Sequence, residues 1–144
     1  MKVLLLNGSP KEKGCTYTAL CEIEKELQKE GIETQIFHAG KATMGCVGCG
    51  YCAKEHKCIT NDCLNEAVKL LDETDAIVIG SPVHFAGASG AITGFMDRLF
   101  MVGGAKLTQK PCAVIASCRR GGSTSAIDQL LKYPEYNQMP IING

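Results

Sequence analysis

The chain has 144 residues, room for one domain with a real core and too little for two. Fifteen Lys and Arg balance fifteen Asp and Glu, which argues against a protein that binds nucleic acid or an anionic membrane mainly by charge. Hydrophobic residues at 45% and charged residues at 21% make a globular mixture, not a disordered one, and no apolar run approaches the roughly 20 residues of a membrane span.

Strand-like and helix-like segments alternate. Lys2 to Asn7 is a short apolar run, as in a strand buried on both faces, and it begins directly after Met1 with no signal-peptide pattern. It ends in Gly8-Ser9-Pro10. Residues Thr16 to Glu30 predict a helix with Leu20, Ile23 and Leu27 on one face, closed by Gly31. Glu33 to His38 predicts a less apolar strand, Leu64 to Leu71 a second helix, and Asp75 to Gly80 a third strand followed by a second Gly-Ser-Pro at 80–82. Ser89 can cap a third helix carrying Ile92, Phe95, Met96 and Leu99. Pro111 to Ser117 predicts a fourth strand, Ser123 or Ser125 starts a fourth helix, and Met139 to Ile142 predicts a fifth strand. The alternation implies an α/β domain over 1–144, a doubly wound five-stranded parallel sheet of order 2-1-3-4-5 without a helix after the last strand. In such a sheet the two Gly-Ser-Pro loops meet at the crevice where the winding reverses, and ligands bind there.

The first of these loops, Ser9 to Thr18, is rich in hydroxyls and enters a helix N-terminus, where outward N–H groups and the helix dipole favour an anion. Ser9, Thr16 and Thr18 offer hydroxyls to phosphate oxygens. The loop matches neither the P-loop nor the dinucleotide-binding glycine pattern.

Nine cysteines are an odd set, and five of them fall in a Cys-rich insertion at 40–62 or beside it. Clustering without an export signal favours a reducing cytoplasm over a disulfide framework. The spacing Cys46-x2-Cys49-x2-Cys52-x5-Cys58, interleaved with Gly45, Gly48 and Gly50, suits a [4Fe–4S] cluster, because glycines let the backbone wrap a cubane. Cys63 rivals Cys58 as fourth ligand, and zinc or metal-free redox thiols stay open as alternatives. Cys21 and Cys112 read as small core residues.

Three loops together resemble the flavodoxin-like NAD(P)H-dependent FMN reductase family. They are Gly8-Ser9-Pro10-Lys11 with Gly14-Cys15-Thr16; Ser81-Pro82-Val83-His84-Phe85 with Ser89-Gly90 and Phe95-Met96-Asp97-Arg98; and Ser117 to Gly122. The cysteine spacing is similar to that of the family's iron–sulfur flavoprotein branch. The resemblance implies an FMN phosphate held by Ser9, Lys11, Cys15, Thr16 and Tyr17. It implies an isoalloxazine ring lined by Pro82, Val83, His84 and Phe85, and closed by Ser117, Arg119, Gly121 and Gly122. Cys15 stands where the family usually has Asn, and His84 where it usually has Tyr. The expected function is a cytoplasmic FMN-binding oxidoreductase that moves electrons from NAD(P)H or a cluster to an acceptor, with no protein nucleophile. A flavodoxin-like carrier without turnover, or a thiol- or metal-binding regulatory module, are the alternatives. The expected assembly is a homodimer or homotetramer.

Overall fold

The computed structural model describes residues 1–42 and 44–143. Thr43, inside the expected Cys-rich insertion, and Gly144 lie outside the described residues. The elements run β1 (Lys2–Asn7), α1 (Cys15–Lys29), β2 (Glu33–Phe37), a 3-10 turn (Ala39–Lys41), α2 (Cys52–Glu55), α3 (Cys63–Leu70), β3 (Ala76–His84), β4 (Gly87–Ala88), α4 (Gly90–Leu107), β5 (Cys112–Ser117) and α5 (Ser123–Tyr136).

Side chains alternate across a strand with period two, and β1 and β3 are apolar at every central position, so both faces must be covered. Leu4, Leu6, Ile77 and Ile79 point to one face, under Leu64 and Val68 of α3, Phe95 and Leu99 of α4, and Leu130 of α5. Val3, Leu5 and Val78 point to the other, where Leu20 of α1 covers them. The parallel strands pair in the order β2-β1-β3-β5, with Leu5 opposite Ile36 on one side and Val78 on the other. This is the doubly wound arrangement expected.

Three differences from expectation have local causes. The expected fifth strand is reduced to one parallel bridge, Ile141 to Cys112, on the outer side of β5. Pro140 carries no N–H and contributes only its carbonyl, which accepts from the Cys112 N–H at 2.8 Å. Strand β3 runs past Gly80 to His84 and folds back on β4 as an antiparallel hairpin. The 3-10 turn and α2 are too short to show a helical period in sequence.

Two helix starts follow side-chain caps. The Asp62 carboxylate accepts from the Leu64 N–H at 3.1 Å to open α3, and the Ser89 hydroxyl oxygen accepts from the Ile92 N–H at 3.3 Å to open α4. Among the described residues no helix is long and apolar enough to cross a membrane.

Candidate functional site

The two Gly-Ser-Pro tripeptides meet, the first just past β1 and the second inside β3, where Gly80 to Pro82 still pair with Ile115 to Ser117 of β5 instead of ending the strand as expected. The Gly8 N–H donates to the Gly80 carbonyl at 2.8 Å. The buried Ser89 hydroxyl donates to the Gly8 carbonyl at 2.7 Å, and the Ser89 N–H donates to Ser81 Oγ at 3.0 Å. The start of α4 is thereby tied to both loops.

Asn7, the last residue of β1, shapes the first loop. Its Oδ1 accepts from the Ser9 N–H at 3.1 Å and its Nδ2 donates to the Glu12 carbonyl at 2.9 Å. His38 Nε2 lies 2.7 Å from the Ser9 carbonyl, and Ser9 Oγ accepts from the Lys11 N–H at 3.1 Å. The loop then enters α1 through Gly14, which brings no side-chain cap, and the first turn of α1 holds no acidic residue. The leading N–H groups of α1 are thus open to an anion.

Beside this helix entry is a cavity of about 600 Å³, lined by Ser9, Lys11, Cys15, Thr16, Pro82, His84, Ser117 and Arg119, together with Pro10, Gly14 and Cys118. Its size suits a cofactor. Lys11 and Arg119 supply positive charge, and no acidic side chain is in the lining. The three loops that sequence singled out therefore share one crevice, at the carboxyl ends of β1, β3 and β5.

Several expected positions lie differently. Thr16 is buried, and its hydroxyl is 2.8 Å from Ser117 Oγ, bridging α1 to the end of β5. The Thr18 hydroxyl turns back to the Gly14 carbonyl at 3.3 Å. Tyr17 is half-buried outside the lining, its pKa raised by a hydrogen bond to Cys21. Val83 stands behind the wall, against Gly122. Phe85 is fully exposed at the hairpin tip, neither core nor cavity wall. Phe85 and Ala86 both have positive φ, 50° and 62°, the two-residue turn that matches strand twist in a tight hairpin and that non-glycine residues adopt only at a cost. Gly121 is exposed. Gly122 has φ 88°, and a Cβ there would sit 2.5 Å from the Ala86 Cα, so glycine is what lets the third loop close on the second.

The cysteine segment forms a second site. Cys46, Cys49, Cys52 and Cys58 line one cavity of about 110 Å³, along with Arg98, Met101 and Val102 of α4. Cys63, inside α3, is not in this lining. All nine cysteines are free thiols. Among the described residues no three His, Cys, Asp or Glu side chains converge as a single metal ion requires. The segment crosses α4 where Gly45 lies on Gly94; a Cβ on Gly94 would come within 3.2 Å of the Gly45 backbone. Burial opposes the charged form of Asp62, but hydrogen bonds from Arg98 and the Leu64 N–H outweigh it and hold the carboxyl below its ordinary pKa. Burial pushes the Cys63 thiol up, and the Cys112 thiol up to about 12.

Sequence reasoning missed Asn7 and His38. An Asn before Gly-Ser-Pro is a turn signal in its own right. His38 reaches the loop across 29 residues of sequence, and nothing local announces it.

The whole chain, residues 1–144, matches the family described as NADPH-dependent FMN reductase. An iron-sulfur flavoprotein of Methanocaldococcus jannaschii is 34% identical over 99% of this chain and 76% of its own length. An iron-sulfur flavoprotein of Archaeoglobus fulgidus is 33% identical over 92% of this chain and 68% of its own. Among solved structures, the apo form of an NADH:FMN oxidoreductase superposes with a TM-score of 0.71 at 16% identity, covering 99% of this chain and 72% of that one. An archaeal flavodoxin does so with a TM-score of 0.67 at 16% identity, covering 100% and 80%; these two likenesses bear on the fold alone. With its crevice at the carboxyl ends of a doubly wound sheet and a family match along its full length, the chain belongs to the NADPH-dependent FMN reductases, FMN-binding oxidoreductases of flavodoxin-like fold.

Proposed function

We propose that FMN binds in the 600 Å³ cavity with its phosphate at the N-terminus of α1 and its ring between the β3–β4 hairpin and the 117–122 loop. The observation that carries this is the uncapped helix entry, backed by Lys11 and Arg119 at a cavity free of acidic side chains. Ser9 and the α1 N–H groups hold the anion. The Thr16–Ser117 hydroxyl pair fixes the distance between the phosphate end and the ring end. Pro82 and His84 bound the ring, and Arg119 is the cation available to negative charge on the reduced ring. Bound FMN supplies the redox chemistry, accepting a hydride or single electrons and passing them on. NAD(P)H is the donor in this reading. FMN should bind far more tightly than riboflavin, which lacks the phosphate; equal affinities would refute the phosphate assignment. Oxidation of NADPH by the FMN-loaded protein in the presence of an acceptor dye tests turnover, and a carrier without activity of its own would show none.

The four cysteines that share one cavity support a second centre, a [4Fe–4S] cluster on Cys46, Cys49, Cys52 and Cys58, in line with the relatives that are named iron-sulfur flavoproteins. Free thiols in this number fit a reducing cytoplasm. Anaerobic reconstitution with iron and sulfide should give about four irons per chain for such a cluster, lost in Cys49→Ser; stoichiometric zinc, or an unchanged variant, would refute it. An apolar cavity of about 590 Å³ between α4 and α5, flanked by the exposed Met101 and Tyr136, supports a homo-oligomer. Sedimentation at micromolar concentration tests this, a monomer counting against it.

A further inference from the structure

Arg98 is 2% exposed, yet its side chain lines the cysteine cavity. Two of its three nitrogens are committed. Nη1 donates to Asp62 Oδ2 at 2.8 Å and to the Met44 carbonyl at 3.2 Å, and Nη2 donates to Asp62 Oδ1 at 2.5 Å. Its Nε is buried and has no hydrogen-bond partner among the described residues. A buried donor without an acceptor is costly and rarely kept. Here the guanidinium plane is fixed by the Asp62 fork, so Nε cannot turn away to find water.

Cys58 is held just as firmly, on the same wall. Its N–H donates to Asn65 Oδ1 at 2.9 Å, and Asn65 Nδ2 donates back to the Cys58 carbonyl at 3.0 Å and to the Thr60 carbonyl at 3.2 Å. Asn65 and Asp62 both belong to the first turn of α3 or its cap. One helix end thus fixes a cysteine and an arginine against the same cavity. The other three cysteines come from a glycine-rich segment whose Gly48 and Gly50 have positive φ. The side-chain hydrogen bond with Asp62 is the chief reason the Arg98 pKa is raised, and the neighbouring Cys58 adds to it. A neutral thiol is a weak acceptor, whereas a thiolate bound to metal is a strong one.

We propose that Arg98 is a positioning residue for the iron–sulfur centre, its spare Nε–H donating to the sulfur of Cys58 once that sulfur is a metal-bound thiolate. Asp62 and Asn65 hold donor and acceptor in register. Cys58 is then the fixed corner of the site and Cys46, Cys49 and Cys52 close onto it. This inference rests on the cluster reading above. Hydrogen bonds to cluster sulfurs raise the reduction potential, so the role can be read without any activity measurement.

The experiment reconstitutes the full chain anaerobically with iron and sulfide as wild type, Arg98→Lys and Arg98→Met, with bound FMN as the check on folding. A spectroscopically monitored redox titration gives the cluster potential, and an iron chelator gives the rate of cluster loss. Arg98→Lys keeps the charge but has no Nε–H. Its reduction equilibrium should fall about tenfold, 59 mV for one electron, with faster loss to the chelator; Arg98→Met should fall further. A wild type that takes up no four-iron cluster overturns the cluster reading itself. A wild type that does, with the same potential and loss rate in Arg98→Lys, overturns only the role of Arg98. Should the variants lose FMN, the wild type decides alone. Arginine-selective nitrogen labelling reports three side chains, at 98, 119 and 120. Hydrogen exchange at the one buried Nε–H should slow on cluster loading, and unchanged exchange would refute the bond.

Discussion

Ser89→Ala tests the stitching of the flavin crevice. The hydroxyl makes two bonds, donating to the Gly8 carbonyl at 2.7 Å and accepting from the Ile92 N–H at 3.3 Å, and both partners are buried. Its removal leaves a carbonyl and an N–H unpaired. A lost N-cap costs roughly 1 kcal/mol, and the unpaired Gly8 carbonyl adds a similar amount, on the order of 1 kcal/mol. The sum is about 2 kcal/mol, which for a domain of this size lowers the melting temperature by roughly 6–8 °C. Urea denaturation of the FMN-free protein measures it, with Ser125→Ala, exposed near the start of α5, as the control. FMN affinity should fall too, because Gly8 opens the loop proposed to hold the phosphate. A loss below about 0.5 kcal/mol, within the range of ordinary surface substitutions, would refute the argument that Ser89 joins α4 to β1.

Gly122→Ala should lower both FMN affinity and melting temperature, by roughly 1–2 kcal/mol for the positive φ alone, since its Cβ also meets Ala86; an unaffected variant in fluorescence titration would show that the two loops do not need to touch. The Asp62 carboxyl is held below its ordinary 3.8 in the folded state. Its stabilising contribution is therefore complete above that value and is lost as pH falls through it toward the folded pKa. Wild type should lose stability in acid more steeply than Asp62→Asn below about pH 4, and parallel curves in acid denaturation would contradict this. Cys112, buried with its thiol pushed up to about 12, should resist iodoacetamide in the folded protein free of FMN and metal, while the exposed Cys15, Cys46, Cys49 and Cys118 are alkylated; mass spectrometry of digested samples distinguishes them.

The parallel strands were legible because β1 and β3 are apolar on both faces, a pattern that only a covered sheet explains. The crevice was legible for a related reason: two identical tripeptides follow the apolar runs of β1 and β3, and parallel order brings them together, although β3 continues through its own copy to His84. The cysteine spacing likewise announced four thiols on one cavity. What sequence did not carry is what depends on distant partners. The Thr16 hydroxyl, expected at the phosphate, also meets Ser117, 101 residues away, a contact no local signal announced. Phe85 was expected along the flavin ring by resemblance, yet the β3–β4 hairpin lifts it into solvent. Arg98 belonged to a flavin-loop motif by resemblance, whereas its side chain lies under the cysteines. The last strand fails at Pro140, a residue whose missing donor is visible in sequence once the register is known.

Helix α4 is tied to both candidate sites, through Ser89 at its cap, bonded to Gly8 and Ser81 beside the crevice, and through Arg98 in its body, which lines the cysteine cavity. Nine residues of helix separate them, a rise of about 13 Å. The spacing between the flavin loops and the cysteine cavity is therefore set by a helical rod in the core, not by the loop that carries the thiols. Changes in the length or composition of residues 46–57 would alter the thiols that line the cysteine cavity. They would leave the spacing between the two candidate sites nearly the same, much as re-dressing one terminal of a rigid spacer leaves its gauge unchanged.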